Sequence, residues 1–155
     1  MLLLCFEVEG DAYGLPARAI KQVLPLVRLK RLPGAPAAVA GLLNYRTQVI
    51  PVLDVRQMLA GQPSVFRLST RVLIVECAAA VGSNGLLGLI VERATHTLSV
   101  EDSKFDPAPV HVADSPYLGP VAQVDGRLLQ RVEPDALLTP EIVAALTQAA
   151  TVESA

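Results

Sequence analysis

The chain has no tryptophan, and only three tyrosines and three phenylalanines among its 155 residues. Since 52 % of the composition is apolar, the core must be built from Leu, Val, Ile and Ala, which is adequate for folding. Cysteine is scarce too. Cys5 and Cys77 each lie inside an apolar, strand-like run (LLLCFEV and VLIVECA) with no metal-ligand spacing near them, so buried free thiols in a reducing compartment are expected. The two histidines, His96 and His111, are far apart with no second ligand at useful spacing, and read as surface or loop residues. No Ser, His and Asp combination suggests a triad. No glycine run could cradle a phosphate, because Gly82, Gly85 and Gly88 surround an ordinary strand entry. These absences argue against an enzyme and against any cofactor.

Long hydrophobic runs are missing as well. The opening MLLLCFEVEG has no basic stretch before it and is broken by Glu7 and Glu9, so it reads as a first strand and not a signal peptide. Nothing is long enough to span a bilayer, which predicts a cytoplasmic protein without direct membrane insertion. The formal net charge of −2 gives no overall pull towards nucleic acid or an anionic membrane. Its distribution is uneven. Residues 18–56 hold seven basic residues against the single acid Asp54, whereas residues 57–155 hold six basic residues against eleven acids. The basic stretch lacks the aromatic interleaving of single-strand binders and any recognition-helix pattern, so no nucleic acid is expected. A two-sided charge distribution suits a surface that docks other proteins in a fixed orientation.

Residues 41–56, GLLNYRTQVIPVLDVR, organise the rest. Two apolar runs flank a polar hinge of Asn44, Arg46, Thr47 and Gln48, which reads as two strands joined by a tight turn. Pro51 cannot donate to a ladder, so its strand should be an edge or bulged there. Arg46 stands near the turn, where its guanidinium can reach solvent, a partner's carboxylate, or Asp54 within the chain. Asp54 and Arg56 read as a turn-capping pair, with bracing of Arg46 as the alternative.

Around this stretch the sequence predicts short elements. Leu2 to Val8 is a strand, Gly10-Asp11 a hairpin turn, and Ala12 to Leu15 the return strand. After Pro16 the run ARAIKQVL predicts a short helix with Ile20, Val23 and Leu24 on its buried face, ended by Pro25. Residues 26–32 read as an extended segment with a basic face. GQPSVFRLS is turn-rich and marks the boundary between two subdomains. Thr70 to Cys77, Leu86 to Val91 and Thr95 to Val100 read as strands, and residues 101–116 as a surface loop. Asp125-Gly126 joins a second hairpin, with Gly126 as its turn residue. Pro134 to Leu138 and Glu141 to Leu146 read as helices, and residues 151–155 as a frayed tail. The pattern is all-β with short helices.

The central stretch resembles the CheW-like domain of bacterial chemosensory signalling, whose run G-x-x-N-x-R-G-x-x-x-P-x-x-D-L-R is met here by Gly41, Asn44, Arg46, Thr47, Pro51, Asp54, Val55 and Arg56. Tyr13-Gly14-Leu15-Pro16, Arg31-Leu32-Pro33, Pro36, GLLGLIVERA and YLGPVAQVDGRLL match in order and spacing. The resemblance implies one CheW-like domain over residues 1–150, made of two interlocked SH3-like five-stranded β-barrels. These would cover roughly residues 15–66 and 67–132, with the N-terminal strands and C-terminal helices packing between them. It implies a non-enzymatic adaptor without cofactor or metal, recruited to membrane-bound receptor clusters. There it would couple the cytoplasmic tip of a methyl-accepting chemoreceptor to the regulatory domain of a CheA-type histidine kinase, with other CheW-like proteins as further partners. Arg46, Gly41, Asn44, Ile20 and Gln22 would form the receptor contact. Leu42, Leu43, Val49, Ile50 and Val52 would supply the kinase contact, about half of them facing outwards. Asp54, Arg56, Thr47 and Gly126 would be structural.

PLVRLKRLPGAP, GLLNYR and LSTR resemble the adaptors of Wsp-type surface-sensing pathways, whose output is a diguanylate cyclase. Flagellar or pilus-motility pathways are the alternative, and a ligand-binding β-barrel protein a more distant one, for which a large apolar pocket would be the sign. The chain departs from the family at Thr47, which replaces a glycine, at Gln22, where some members carry an acid, at Pro120, and at Gln130-Arg131.

Overall fold

The computed structural model describes residues 1–94, 96–106 and 115–154. His111 and much of the loop expected at 101–116 lie outside them. Strands β1 (Leu2–Val8) and β2 (Asp11–Pro16) form an antiparallel hairpin. Its turn residues are Glu9 and Gly10, both with positive φ, one position earlier than the expected Gly10-Asp11. A single 3-10 turn, Ala17–Ala19, leads into β3 (Ile20–Pro25).

This is the first difference from the sequence reading, which expects a helix over ARAIKQVL. Ile20, Gln22 and Leu24 are half-buried, and they alternate with exposed Lys21, Val23 and Pro25. A register shift between Ile20 and Gln22 puts Ile20 opposite Val75 and Leu24 opposite Val72, so the two take opposite faces of the sheet. Val23 is the odd residue, 47 % exposed, because the segment is drawn out as a partner for the next strand in the sheet.

The remaining elements are β4 (Val39–Tyr45), β5 (Gln48–Asp54), α1 (Val55–Ala60), β6 (Arg71–Glu76), β7 (Leu86–Val91), β8 (His96–Ser99), β9 (Phe105–Asp106), β10 (Leu118–Val124), β11 (Arg127–Val132) and α2 (Pro140–Ser154). Pro134–Ala136 is a 3-10 turn, and α2 continues well past the Leu146 at which the sequence reading ends it.

The strands make two sheets, not two closed barrels. One has five strands in the order β3-β6-β7-β5-β4, the other six in the order β8-β1-β2-β11-β10-β9. Each is mixed, through the parallel pairs β5–β7 and β2–β11. The expectation of two five-stranded SH3-like barrels is therefore corrected. Closure would need the outermost strands of each sheet to pair. In the first sheet the outer edge of β4 is taken instead by Lys30, which exchanges two 2.8 Å backbone hydrogen bonds with Leu42. In the second, β8 has four residues and β9 two, too short to complete a ladder. The sheets also divide the chain differently from the expected units. Residues 20–91 supply the first, and residues 2–16 join 96–132 in the second.

Both sheets are covered on both faces. A shared cluster between them includes Phe6, Leu15, Leu53, Leu73, Leu89, Val132 and Leu137. Leu43, Ile50, Val52, Val72, Ile74 and Ile90 pack on the far face of the five-stranded sheet, and Leu3, Cys5, Val100, Ala122 and Leu129 on that of the six-stranded one. Two-sided burial is why β6 reads as the unbroken apolar run VLIV, all of it inaccessible to solvent.

Two local details fix the central hairpin. Leu42 spends its N–H and C=O on Lys30, so it faces Pro51 across a non-hydrogen-bonded pair, and β4 never calls for the N–H that proline lacks. A Cβ on Gly41 would lie 2.5 Å from the Lys30 carbonyl oxygen, which only a glycine permits.

At the other end of β5, Asp54 is 6 % exposed and caps α1 through the Gln57 N–H at 3.4 Å. It also accepts from the Ser64 N–H at 2.8 Å and the Ser64 hydroxyl at 2.5 Å. Arg56 reaches Glu92 at 3.2 Å and Glu9 at 3.6 Å, and Glu92 accepts from the Val65 N–H at 3.2 Å. Together these groups tie the 61–70 loop to both sheets.

Two stability measurements check this picture. Asp54→Ala leaves two Ser64 donors and one helix N–H without their acceptor, and should lower the unfolding free energy by about 2–4 kcal/mol in urea titrations. Thr47 holds φ 69° behind Arg46 at φ 49° in the β4–β5 turn. Thr47→Gly should therefore stabilise the protein by about 1 kcal/mol, the relief of left-handed strain outweighing the added chain entropy.

Candidate functional site

The hairpin turn after β4 needs two residues in the left-handed region, and Arg46 and Thr47 occupy them. The Thr47 hydroxyl donates to the Arg46 carbonyl at 2.5 Å, a local contact that offsets part of the strain. This turn lifts Arg46 clear of the sheet. Its guanidinium lies 5.3 Å from the centre of the Tyr45 ring and donates to Gln22 Oε1 at 3.4 Å. The Tyr45 hydroxyl donates to the same oxygen at 2.5 Å. Gln22 belongs to β3 and Tyr45 to β4, the two outer strands of the five-stranded sheet, so the sheet's edges meet here through side chains and not through a ladder.

Gln22, Tyr45 and Arg46 therefore form one exposed corner. Asn44 is exposed on the same hairpin, whereas Gly41 is buried further down β4 beneath Lys30. Ile20 lies two residues from Gln22, but a register shift between them turns Ile20 to the shared core while Gln22 stands opposite Ile74 on the other face of the sheet. Tyr45 was not singled out by the sequence, because only the fold reveals that it faces Gln22. Asp54 does not touch Arg46. The two stand at opposite ends of β5, and among the described residues no carboxylate is paired with Arg46.

Of the five apolar hairpin residues, Leu43, Ile50 and Val52 are 6 %, 0 % and 0 % exposed and belong to the core. Val49 is 59 % exposed and Leu42 half-buried. With Asn44 and Pro51 they make the outer face of the hairpin, across the pairs Leu42↔Pro51 and Asn44↔Val49.

A further apolar surface was not anticipated. In the loop between α1 and β6, Phe66 and Leu68 are 72 % and 96 % exposed. The loop is pinned around them, since the Thr70 hydroxyl donates to the Val65 carbonyl at 2.7 Å and accepts from the Arg67 N–H at 3.0 Å. Large apolar residues inside a turn-rich stretch were the signal available in the sequence, which read GQPSVFRLS only as a boundary.

The chemistry of the described residues is spare. No group of three or more His, Cys, Asp or Glu among them is placed to hold a metal ion. Burial pushes the thiols of Cys5 and Cys77 above the ordinary thiol range, so both remain protonated and unreactive at neutral pH. No helix among them is long and apolar enough to cross a membrane.

The CheW-like domain family matches residues 2–141. The chemotaxis protein CheW of Rhizobium meliloti is 28 % identical over 144 residues, covering 90 % of this chain and 88 % of that protein. The chemotaxis protein CheW of Bacillus subtilis is 25 % identical over 141 residues, covering 90 % and 87 %. Among solved structures, the scaffolding protein TtCheW from Thermoanaerobacter tengcongensis superposes with a TM-score of 0.79 at 21 % identity, covering 91 % of this chain and 89 % of that one, which is a likeness of fold. The family match spans both sheets and the hairpin that carries Arg46, and the chain belongs to the CheW-like family of non-enzymatic adaptors in chemosensory signalling.

Proposed function

We propose that the protein couples the cytoplasmic tip of a methyl-accepting chemoreceptor to the regulatory domain of a CheA-type histidine kinase, in the cytoplasm at receptor clusters. One observation carries the receptor assignment: Arg46 is held on an exposed corner by a neutral amide and an aromatic ring, with no carboxylate of its own among the described residues. Its fork is thus aimed and electrostatically unspent, ready for a bidentate pair with a carboxylate on the receptor. Gln22 matters here because it is neutral. An acid at that position would neutralise Arg46 within the chain. Asn44 flanks the contact, and Gly41 and Ile20 support the two strands that carry it.

For the kinase, the outer face of the hairpin around Leu42 and Val49 is the docking surface, Leu43, Ile50 and Val52 serving as the core beneath it. Other CheW-like proteins could use the same face. An adaptor of this kind works by placement, raising the effective concentration of receptor around kinase and fixing their geometry. The local likeness of PLVRLKRLPGAP, GLLNYR and LSTR favours a surface-sensing pathway of the Wsp type with a diguanylate cyclase output. A flagellar or pilus-motility pathway is the alternative reading, and protein PilI of Pseudomonas aeruginosa is 32 % identical over 71 residues, 46 % of this chain and 40 % of that protein.

Paired pull-downs with receptor tip and kinase regulatory domain, each beside a thermal melt, test both surfaces. Arg46→Glu should lose the receptor while keeping kinase binding and an unchanged melting temperature, and Arg46→Lys should weaken receptor binding about tenfold because charge survives without the fork. Receptor binding by Arg46→Glu at wild-type strength would sink the assignment. Val49→Asp should show the converse pattern, losing kinase and keeping receptor; kinase binding that survives it would remove the hairpin face from consideration. Gln22→Glu should also weaken the receptor contact, by pairing Arg46 within the chain.

A further inference from the structure

The six-stranded sheet is open between its outer strands, and at one end of its far-face cluster it leaves a cavity of about 290 Å³. We propose that this cavity binds a small apolar carboxylate of medium-chain size, a binding site independent of the two docking surfaces above.

The walls come from five strands. Cys5 of β1, Ala12 of β2, Leu98 of β8, Val124 of β10 and Leu129 of β11 present mostly apolar surface. Cys5 is part of that apolar lining, since burial keeps its thiol neutral. The shared core between the sheets is closely packed by contrast, with Leu15, Leu53, Leu73 and Leu89 inaccessible to solvent. At the roughly 30 Å³ that a water molecule occupies in the liquid, the cavity has room for about ten water-sized groups.

Charge is gathered at the mouth. Arg93 and Arg127 stand on either side of Glu7, whose carboxylate lies 3.9 Å from the first and 3.7 Å from the second. Both separations exceed a direct hydrogen bond, so neither guanidinium has its donors saturated by Glu7. Arg127 commits one nitrogen to the Gly10 carbonyl at 2.7 Å, which fixes the side chain across the opening. Arg93 is held at φ 51°, an unusual backbone state for a residue with a side chain, and found where a group must be aimed. Asp125 is exposed on the β10–β11 turn, and His96 lies at the cavity's edge on β8. Two guanidinium groups stand at the entrance with two carboxylates, Glu7 held loosely between them and Asp125 on the neighbouring turn. An incoming carboxylate gains charge-assisted hydrogen bonds there, while its hydrocarbon body fills apolar space. A cationic head would have to break Glu7 away from both arginines.

Octanoate, with ten non-hydrogen atoms, is the probe, and 1-octanol its neutral control. Calorimetric titration should show saturable octanoate binding. The Arg93→Gln/Arg127→Gln double variant should bind octanoate about tenfold more weakly while 1-octanol is unaffected. Ala12→Leu should fill the cavity and abolish binding of both. Absence of saturable octanoate binding, or equal affinity for 1-octanol, would overturn the proposal, as would octanoate affinity unchanged by Ala12→Leu. Should Ala12→Leu fail to fold, the double variant decides, because both arginine side chains are more than half exposed; octanoate affinity unchanged in that variant overturns the proposal.

Discussion

Contact between the two sheets is what the rest of the molecule depends on. Leu53, Leu73 and Leu89 from the five-stranded sheet meet Phe6, Leu15 and Val132 from the six-stranded one, all excluded or nearly excluded from solvent. Each such side chain contributes about 1.5–3 kcal/mol on burial. Because β1 and β2 come from the beginning of the chain and pair with β8 and β11 from its second half, the six-stranded sheet is assembled only across residues 20–91, which build the five-stranded one. The domain is a single folding body for that reason, although it has two sheets.

That body gives β5 two very different ends. One end is the tight turn carrying Arg46, exposed and offered to a partner. The other is Asp54, buried and spent on capping α1 and holding Ser64. Seven residues of strand put about 20 Å between them. The acid most available in sequence to neutralise Arg46 is thereby removed from its reach, and the arginine is left to a neutral glutamine and a tyrosine ring. Backbone strain has the same sense. The turn places Arg46 and Thr47 at positive φ, and a β-branched residue tolerates this only because the ladder on either side fixes the register.

Openness at the sheet edges has consequences of its own. In the six-stranded sheet, β8, β1, β2, β11 and β10 line a cavity with Arg93 and Arg127 among its walls. In the five-stranded sheet the outer strands meet through Gln22 and Tyr45, so the candidate receptor corner exists because the ladder does not run between them. The exposed Phe66 and Leu68, by contrast, owe their position to Asp54, Glu92 and Thr70, which hold the loop without covering it.

Much of this was legible in the residues themselves. Alternation and turn pairs located β1, β2, β10 and β11, the continuous apolar runs located β6 and β7, and the G-x-x-N-x-R spacing identified both the hairpin and the family, because these signals are local and lie in the chain. Asp54 before a short amphipathic turn was readable as a cap for the same reason. What sequence could not decide depends on partners distant in the chain. Ile20 to Pro25 has apolar residues spaced for a helix, and becomes a strand because β6 offers a ladder. Closure turns on whether outer strands find one another, and here Lys30 takes the edge of β4 while β8 and β9 stop short. Likewise Leu42 and Val49 face outwards while Leu43, Ile50 and Val52 face the core, and Gln22 meets Tyr45 across the sheet, only once register is set. Local spacing specifies which elements form. Their pairing and facing come from long-range burial, where each strand settles against whichever neighbour removes most apolar surface from water.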